Sequence, residues 1–438
     1  MHELTSLILS DMRPALGVTE PGAIAYAAAL AKSHTTGAVK EVLIELNSGL
    51  FKNAFTCGIP GSSEVGNAHA AALGVCGGDP KKELECLEGI TAEAAKAAKE
   101  LVASGKVKIC LKGISSDIYL HAEVLTESGS ASVTIEHAHT NVTEIRENGQ
   151  LVYQKAPAEE VSGQETKADG EKAEEPTPLI HRYSLEELRT YALTVPLEEL
   201  LPLREAYSMN LALFDAGRES ERTSYLHYLL KENGGEVYSR DIRKTALLLG
   251  AGAIEARVLG LSKPAMSITG SGSHGIICTL PLYGAYRVMG LSEEQLLRAT
   301  ALSFLVCMYI KEYSGKLSAF CGCGIAGGTG MACGLALLKG LGTSAMAEAI
   351  DSLASSITGM ICHGGNQGCT MKAVVAIDAA FQAVDMAAEG VYINEVHGIN
   401  GKTPEDTMRH MGLIASPGMT GTEKTILDIL KEKQEASA

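Results

Sequence analysis

Tryptophan is absent from this chain of 438 residues, and aromatic residues make up only 5% of it. So few rings exclude the stacking platforms that hold single-stranded nucleic acid. Positive charge is also in deficit: 37 Lys and Arg against 52 Asp and Glu leave a net charge of −15. A nucleic-acid binder shows the opposite, a basic face. No apolar run reaches the roughly 20 residues needed to span a bilayer. The opening MHELTSLILSDMRP has neither a basic flank nor a long apolar stretch, so it does not read as a secretory signal. A cytoplasmic protein is expected, with neither nucleic acid nor membrane as a partner.

Glycine and cysteine are abundant instead, at 47 and 11 residues. An odd cysteine count without a signal segment argues against a disulfide framework. Cys57, Cys76, Cys86, Cys110, Cys278, Cys307 and Cys333 lie singly in apolar or mixed runs and read as small buried thiols. Cys321, Cys323, Cys362 and Cys369 differ, because they cluster among glycines.

Residues 1–153 mix helix and strand signals. LTSLILSDM reads as a short amphipathic helix. GAIAYAAALAKS reads as a second, with Pro21 in its first turn and Thr19 as its cap. EVLIELN alternates as a strand does, and AEAAKAAKELVASG is helical by propensity and stops at Gly105. KVKICLKG, IYLHAEVL, ASVTIEHA and TEIRENGQLVYQ follow, with Asn148-Gly149 marking a hairpin. The expected fold class is α+β with an antiparallel sheet. Residues 154–183 are polar and rich in Pro, Ala and Glu, the composition of a flexible linker or surface excursion. A capping-box pattern at Ser184 and Glu187 then opens a mainly helical domain over 184–438. Three glycine-rich joints interrupt it: ITGSGSHGI (268–276), KEYSGKLSAFCGCGIAGGTG (311–330) and TGMICHGGNQGC (358–369).

Each joint leads into a helix, whose first amides suit a thiolate or a carboxylate. If the joints converge, they form a pocket of amides, small residues and thiols for a small anionic substrate. The C-x-C spacing of Cys321 and Cys323 and the C-x6-C spacing of Cys362 and Cys369 do not make a zinc site. An iron–sulfur cluster accepts looser spacings. Four inert buried thiols are the more ordinary reading, since free cysteines usually pack in cores, and the residues alone leave both readings open. Ser271, Gly272, Ser273 and His274 offer hydroxyls and amides for a carboxylate. Lys311, Lys316 and Ser318 flank the first thiol pair. Lys52 and Asn53 precede a glycine turn containing Gly61, Ser62 and Ser63, a common place for binding residues. His137 and His139 share one side of a strand, with Asn141 beyond; His139 reads as a hydrogen-bonding group. His69 and His363 are single histidines without a motif. GCGIAG resembles a dinucleotide fingerprint in spacing only, since no strand precedes it.

At these residues the chain resembles the L-cysteine desulfidase family (UPF0597-type), related to the alpha chain of iron–sulfur L-serine dehydratases. The motifs that carry the resemblance are ALGVTEP (15–21), LFKN (50–53), GIPGSSEVGNAHAAALG (58–74), HTNV (139–142), SGSHGI (271–276), KLSAFCG (316–322) and GMICHGGNQGCTMK (359–372). The resemblance implies a [4Fe–4S] cluster held by three cysteines, two of which match Cys321 and Cys362. The third would stand at Val18, and valine cannot bind iron, which leaves Cys369 and Cys323 as substitutes. The family's Asp after the second matched cysteine is His363 here. The implied activity is removal of sulfide from L-cysteine or a close analogue, giving pyruvate and ammonia. The alternatives are a serine-dehydratase-like enzyme of altered substrate, or a cluster-free binding or regulatory protein. Lys52, His139 and Lys311 are the implied bases or orienting groups. Asn53, Gly61, Ser62, Ser63, Asn141, Ser271, Gly272, Ser273 and His274 would hold the amino-acid substrate. A homodimer is the default expectation from the frequency of two-fold assemblies.

Overall fold

The computed structural model describes residues 1–156, 177–315 and 317–437. Most of the expected linker, residues 157–176, lies outside the described residues, as does Lys316. The strands are β1 (Arg13–Leu16), β2 (Val39–Asn47), β3 (Val107–Gly113), β4 (Tyr119–Thr126), β5 (Ser130–Glu136), β6 (Val142–Glu147), β7 (Gln150–Gln154) and β8 (Pro264–Ser267). Six of them form one sheet in the order β3-β2-β4-β5-β6-β7. β2 buries Val42, Ile44 and Leu46 completely, the period-two pattern of a strand with one face on a core. The α+β half is therefore as expected, with one refinement. β2 and β3 pair in parallel and the other neighbours are antiparallel. The reason is the crossover between them, which carries helices Ser48–Asn53, Asn67–Gly77 and Ala92–Ala103; a parallel pair needs such a connection.

Helix Thr19–Ser33 packs on helix Asn67–Gly77 and on the sheet. The two helices approach so closely at Gly74 that a Cβ there would sit 2.3 Å from the Ala25 carbonyl oxygen. Thr19 is the first helical residue rather than the cap; Val18 holds the cap position, and the Thr19 hydroxyl hydrogen-bonds Glu20 and the Gly270 carbonyl. Asn148 and Gly149 both have positive φ, as a tight hairpin requires. Ser184 and Glu187 form the capping box in both directions.

The second half is helical, and its long helices include Ile242–Val258, Gly272–Met289, Glu293–Ser314 and Gly368–Ala388. β1 pairs antiparallel with β8, Arg13 opposite Ser267, so the N-terminal segment is sewn to the helical half. Beyond the undescribed segment, Ile180 is buried and His181 stacks on Tyr313 with ring centroids 3.7 Å apart. Among the described residues no helix is long and apolar enough to cross a membrane.

Candidate functional site

Helix Glu293–Ser314 ends at Gly315, and beyond it Phe320 bridges to Ile361. Around that bridge the Cys321 N–H donates to the Met360 carbonyl (2.9 Å) and the Cys362 N–H to the Ala319 carbonyl (2.6 Å). Cys321 and Cys362 are thereby fixed on neighbouring segments. A π-type turn at Cys323–Gly327 then feeds helix Gly328–Leu338, a distortion common at functional sites. Cys369 opens helix Gly368–Ala388. The loop before it needs its glycines. Gly364 has φ of +109°, and a Cβ there would meet the Lys52 carbonyl oxygen at 2.5 Å. The Gly365 N–H donates to the Asn53 carbonyl at 3.0 Å. From the opposite side comes the start of helix Gly272–Met289, pressed against β8: a Cβ on Gly275 would lie 1.9 Å from the Met266 carbonyl oxygen. The three joints line one cavity of about 170 Å³, and Cys321, Cys323, Cys362 and Cys369 all face it.

Charge in this cavity is unevenly satisfied. Arg257, on helix Ile242–Val258, is 3% exposed. Its Nη1 donates to the Ser273 hydroxyl at 2.9 Å, while Nε and Nη2 have no protein partner. Burial holds its pKa below the usual guanidinium range, opposed by Glu20 and the thiols. Unpaired buried N–H groups of a guanidinium are costly and mark a place for an anion. The Lys372 ammonium is also buried without a hydrogen-bond partner. Burial would lower its pKa, but the thiols of Cys321, Cys369, Cys362 and Cys323 outweigh that and raise it. Burial pushes the Cys321 thiol up to about 12 and raises Cys369, with Lys372 opposing in both cases. Cys323 is raised further, and its Sγ donates to the Ser273 carbonyl at 3.4 Å.

His274 is held well below its ordinary value by burial, then by Lys311 and Arg257, so its imidazole is neutral. The Thr269 hydroxyl donates to the Ile268 carbonyl at 2.7 Å and lies 2.5 Å from His274 Nδ1. It therefore accepts from Nδ1–H, which leaves the lone pair on Nε2. Thr269 itself is held at φ +52°, with its N–H on the Asp11 carboxylate. Glu20 accepts from Asn53 Nδ2 at 2.8 Å, and Asn53 Oδ1 in turn lies 3.6 Å from the Cys362 sulfur.

Of the residues expected from sequence, Asn53, His139, Ser271, Ser273, His274, Lys311 and the four cysteines line this cavity. Lys311 donates to the Gly315 carbonyl at 2.8 Å. The others stand elsewhere. Lys52 is fully buried in an ion pair with Glu423 (2.6 Å) and donates to the Ser318 carbonyl (3.1 Å). Gly61 has φ of +76° and turns against Ile90, and Ser62 accepts from the Glu64 N–H, so this stretch is a structural turn. Asn141 donates to the Glu136 carbonyl at 2.8 Å. Gly272 makes room for Arg257, since a Cβ there would lie 2.5 Å from Nε. Arg257, Lys372 and Glu20 were not foreseen as site residues. Lys372 and Glu20 are each a lone charge inside a run of small or apolar residues, GCTMKAVV and GVTEPGAI, and Arg257 shares such a run, GAIEARVLG, with Glu255 alone; that setting was the available signal.

The iron–sulfur centre implied by the resemblance fits the residues present. Three thiols, Cys321, Cys362 and Cys369, share one cavity with an unpartnered ammonium, which favours their bound thiolate forms. Among the described residues no three His, Cys, Asp or Glu side chains are placed to hold a single metal ion. Val18 lines the same cavity and packs on the cysteine loop, its Cγ1 3.1 Å from where a Gly365 Cβ would be.

Residues 81–428 match the model of a family described as the serine dehydratase alpha chain. The chain is also similar to three proteins named only as UPF0597 proteins. One, from Clostridium botulinum strain Langeland, is 38% identical over 99% of both chains. One from Caldanaerobacter subterraneus is 33% identical over 98% of both. One from Clostridioides difficile is 30% identical over 97% of this chain and 98% of its own.

Proposed function

Because the chain belongs to the serine dehydratase alpha-chain family, we propose that it is a lyase that expels the β-substituent of a small L-amino acid. The substituent is sulfide, from L-cysteine or a close analogue, and the products are a 2-oxo acid and ammonia. The observation that carries this reading is a single cavity holding both an under-paired Arg257 and the four thiols.

In this reading the substrate carboxylate accepts from Arg257 Nε and Nη2, with the Ser271 and Ser273 region of the helix start beside it. Glu20, held by Asn53, faces the α-ammonium. Neutral His274 takes the α-proton at Nε2. The C–H electron pair becomes the Cα–Cβ double bond, and the Cβ–S bond breaks with its pair going to sulfur. The resulting 2-aminoacrylate tautomerises to an imine, which water hydrolyses to pyruvate and ammonia. A [4Fe–4S] cluster held by Cys321, Cys362 and Cys369 supplies Lewis acidity toward the leaving group when bound. Lys372 offsets the negative charge of those thiolates, and Cys323 braces Ser273.

A second reading, dehydration of L-serine, is supported by departures from the desulfidase motifs at Val18, at His363 and at the Ser273-His274 pair. Anaerobically purified protein given L-cysteine or L-serine separates them. Sulfide and pyruvate in equal amounts from cysteine support the first reading. Pyruvate from serine alone supports the second. Iron-loaded protein that releases pyruvate from neither would end both.

A further inference from the structure

A second cavity, of about 110 Å³, lies behind the cysteine-bearing segment. Ser48, the turn at Ile114–Ser116 and the start of helix Thr420–Ser437 enclose it, and Leu317 and Ser318 line both cavities. Two acceptor atoms in its wall are buried and unpartnered: Glu423 Oε1 and the Ser318 hydroxyl oxygen. Glu423 is 4% exposed, and only its other oxygen is engaged, by Lys52. A carboxylate oxygen stripped of water and given no donor is an expensive arrangement. An ionised carboxylate can only accept, and its strongest partner is a charged N–H. No basic side chain among the described residues lines the cavity, and this oxygen is open to a donor carried by a ligand. At roughly 10–15 Å³ per water-sized group, the space suits a molecule no larger than a small free amino acid.

We propose that this cavity binds a small ligand through a primary ammonium group, with Glu423 Oε1 and the Ser318 hydroxyl as acceptors. The ligand braces the Leu317–Ser318 wall, so its occupancy is felt in the cysteine cavity. Two sources share this chemistry, the ammonium ion and a small amino acid. The proposal does not rest on the lyase reading, because its readout is binding.

The test is thermal unfolding of the full-length protein at constant ionic strength, with ammonium chloride replacing sodium chloride in one series and L-alanine added in another. Two variants accompany the wild type. Thr420→Tyr plugs the exposed mouth without touching the Lys52–Glu423 pair, and Glu423→Gln removes the charge of the acceptor. The expected result is a saturable rise in Tm with at least one probe, its apparent affinity at least tenfold weaker in both variants. A rise with ammonium chloride assigns the ion; a rise with L-alanine alone assigns an amino acid. No saturable rise with either probe overturns the proposal. So does a rise that Thr420→Tyr leaves intact, which would place the ligand in the cysteine cavity. If Glu423→Gln fails to fold, Thr420→Tyr decides alone.

Discussion

Arg257→Met gives the sharpest test of the substrate geometry. The side chain is 3% exposed, keeps one hydrogen bond to Ser273, and presents Nε and Nη2 to the cavity unpaired. A hydrogen bond to a charged group contributes about 1.5–3 kcal/mol, so two of them to a carboxylate amount to about 3–6 kcal/mol. At about 1.4 kcal/mol per factor of ten, kcat/KM for the eliminated amino acid should fall by roughly two to four orders of magnitude. Stability should move little. Methionine fills similar volume, and replacing a poorly compensated buried charge with an apolar chain is often neutral; the loss of Glu20's counter-charge works against any gain. Arg257→Lys should fall between, because a lysine is a point charge without the paired geometry. Pyruvate formation from L-cysteine or L-serine and a thermal melt on the same samples give both numbers. Activity within tenfold of wild type would refute the carboxylate role. A collapse of Tm that parallels the loss of activity would show Arg257 to be structural.

Other expected outcomes follow from the same residues. Cys321→Ser, Cys362→Ser and Cys369→Ser should each lower iron and acid-labile sulfide in anaerobically reconstituted protein, while Cys323→Ser should leave both near wild type; equal loss from all four would sink the ligand assignment. Lys52→Met strands the Glu423 carboxylate in the interior and should cost about 3–5 kcal/mol of stability, with Lys52→Met/Glu423→Leu recovering much of it in urea melts. If the double variant recovers stability but has no activity, Lys52 has a role beyond the ion pair. His274 and His181 both have depressed pKa values in the folded chain, chiefly from burial. The unfolded chain therefore binds more protons below about pH 6.5, and stability should fall as pH drops from 7.5 toward 5. His181→Phe should flatten that slope in a Tm-against-pH series; an unchanged slope would rule His181 out as a contributor.

The glycine-rich joints were the most legible part of the site, because close backbone approach leaves a compositional mark. Gly364 against Lys52, Gly275 against Met266 and Gly272 against Arg257 each tolerate no Cβ, and all three lie in joints picked out from sequence. Local signals also held where the energetics are local: the Asn148-Gly149 hairpin and the Ser184–Glu187 box involve neighbours only. Long-range pairing left no such mark. β1 and β8 are four residues each, too short for a period, and they pair across most of the chain. Lys52 looked like a binding residue before a glycine turn, yet its partner Glu423 is 371 residues away.

The same distance effect explains why the charges of the site were missed while its thiols were found. A cysteine among glycines is odd in any context, whereas an arginine or lysine on a helix ordinarily lies on a solvated face. Burial reverses that ordinary meaning. Glu255, two residues from Arg257 on the same helix, shows the structural outcome: it is fully buried and accepts from the Tyr225 and Leu226 amides, at 3.1 and 2.8 Å, so its charge is compensated within the fold. Arg257 and the ammonium of Lys372 are buried without such compensation, and both residues line the cavity that holds the thiols. Two helical charges, one satisfied and one not, thus separate a structural residue from a ligand-facing one, and the separation lies in donors and acceptors that only the folded chain brings together.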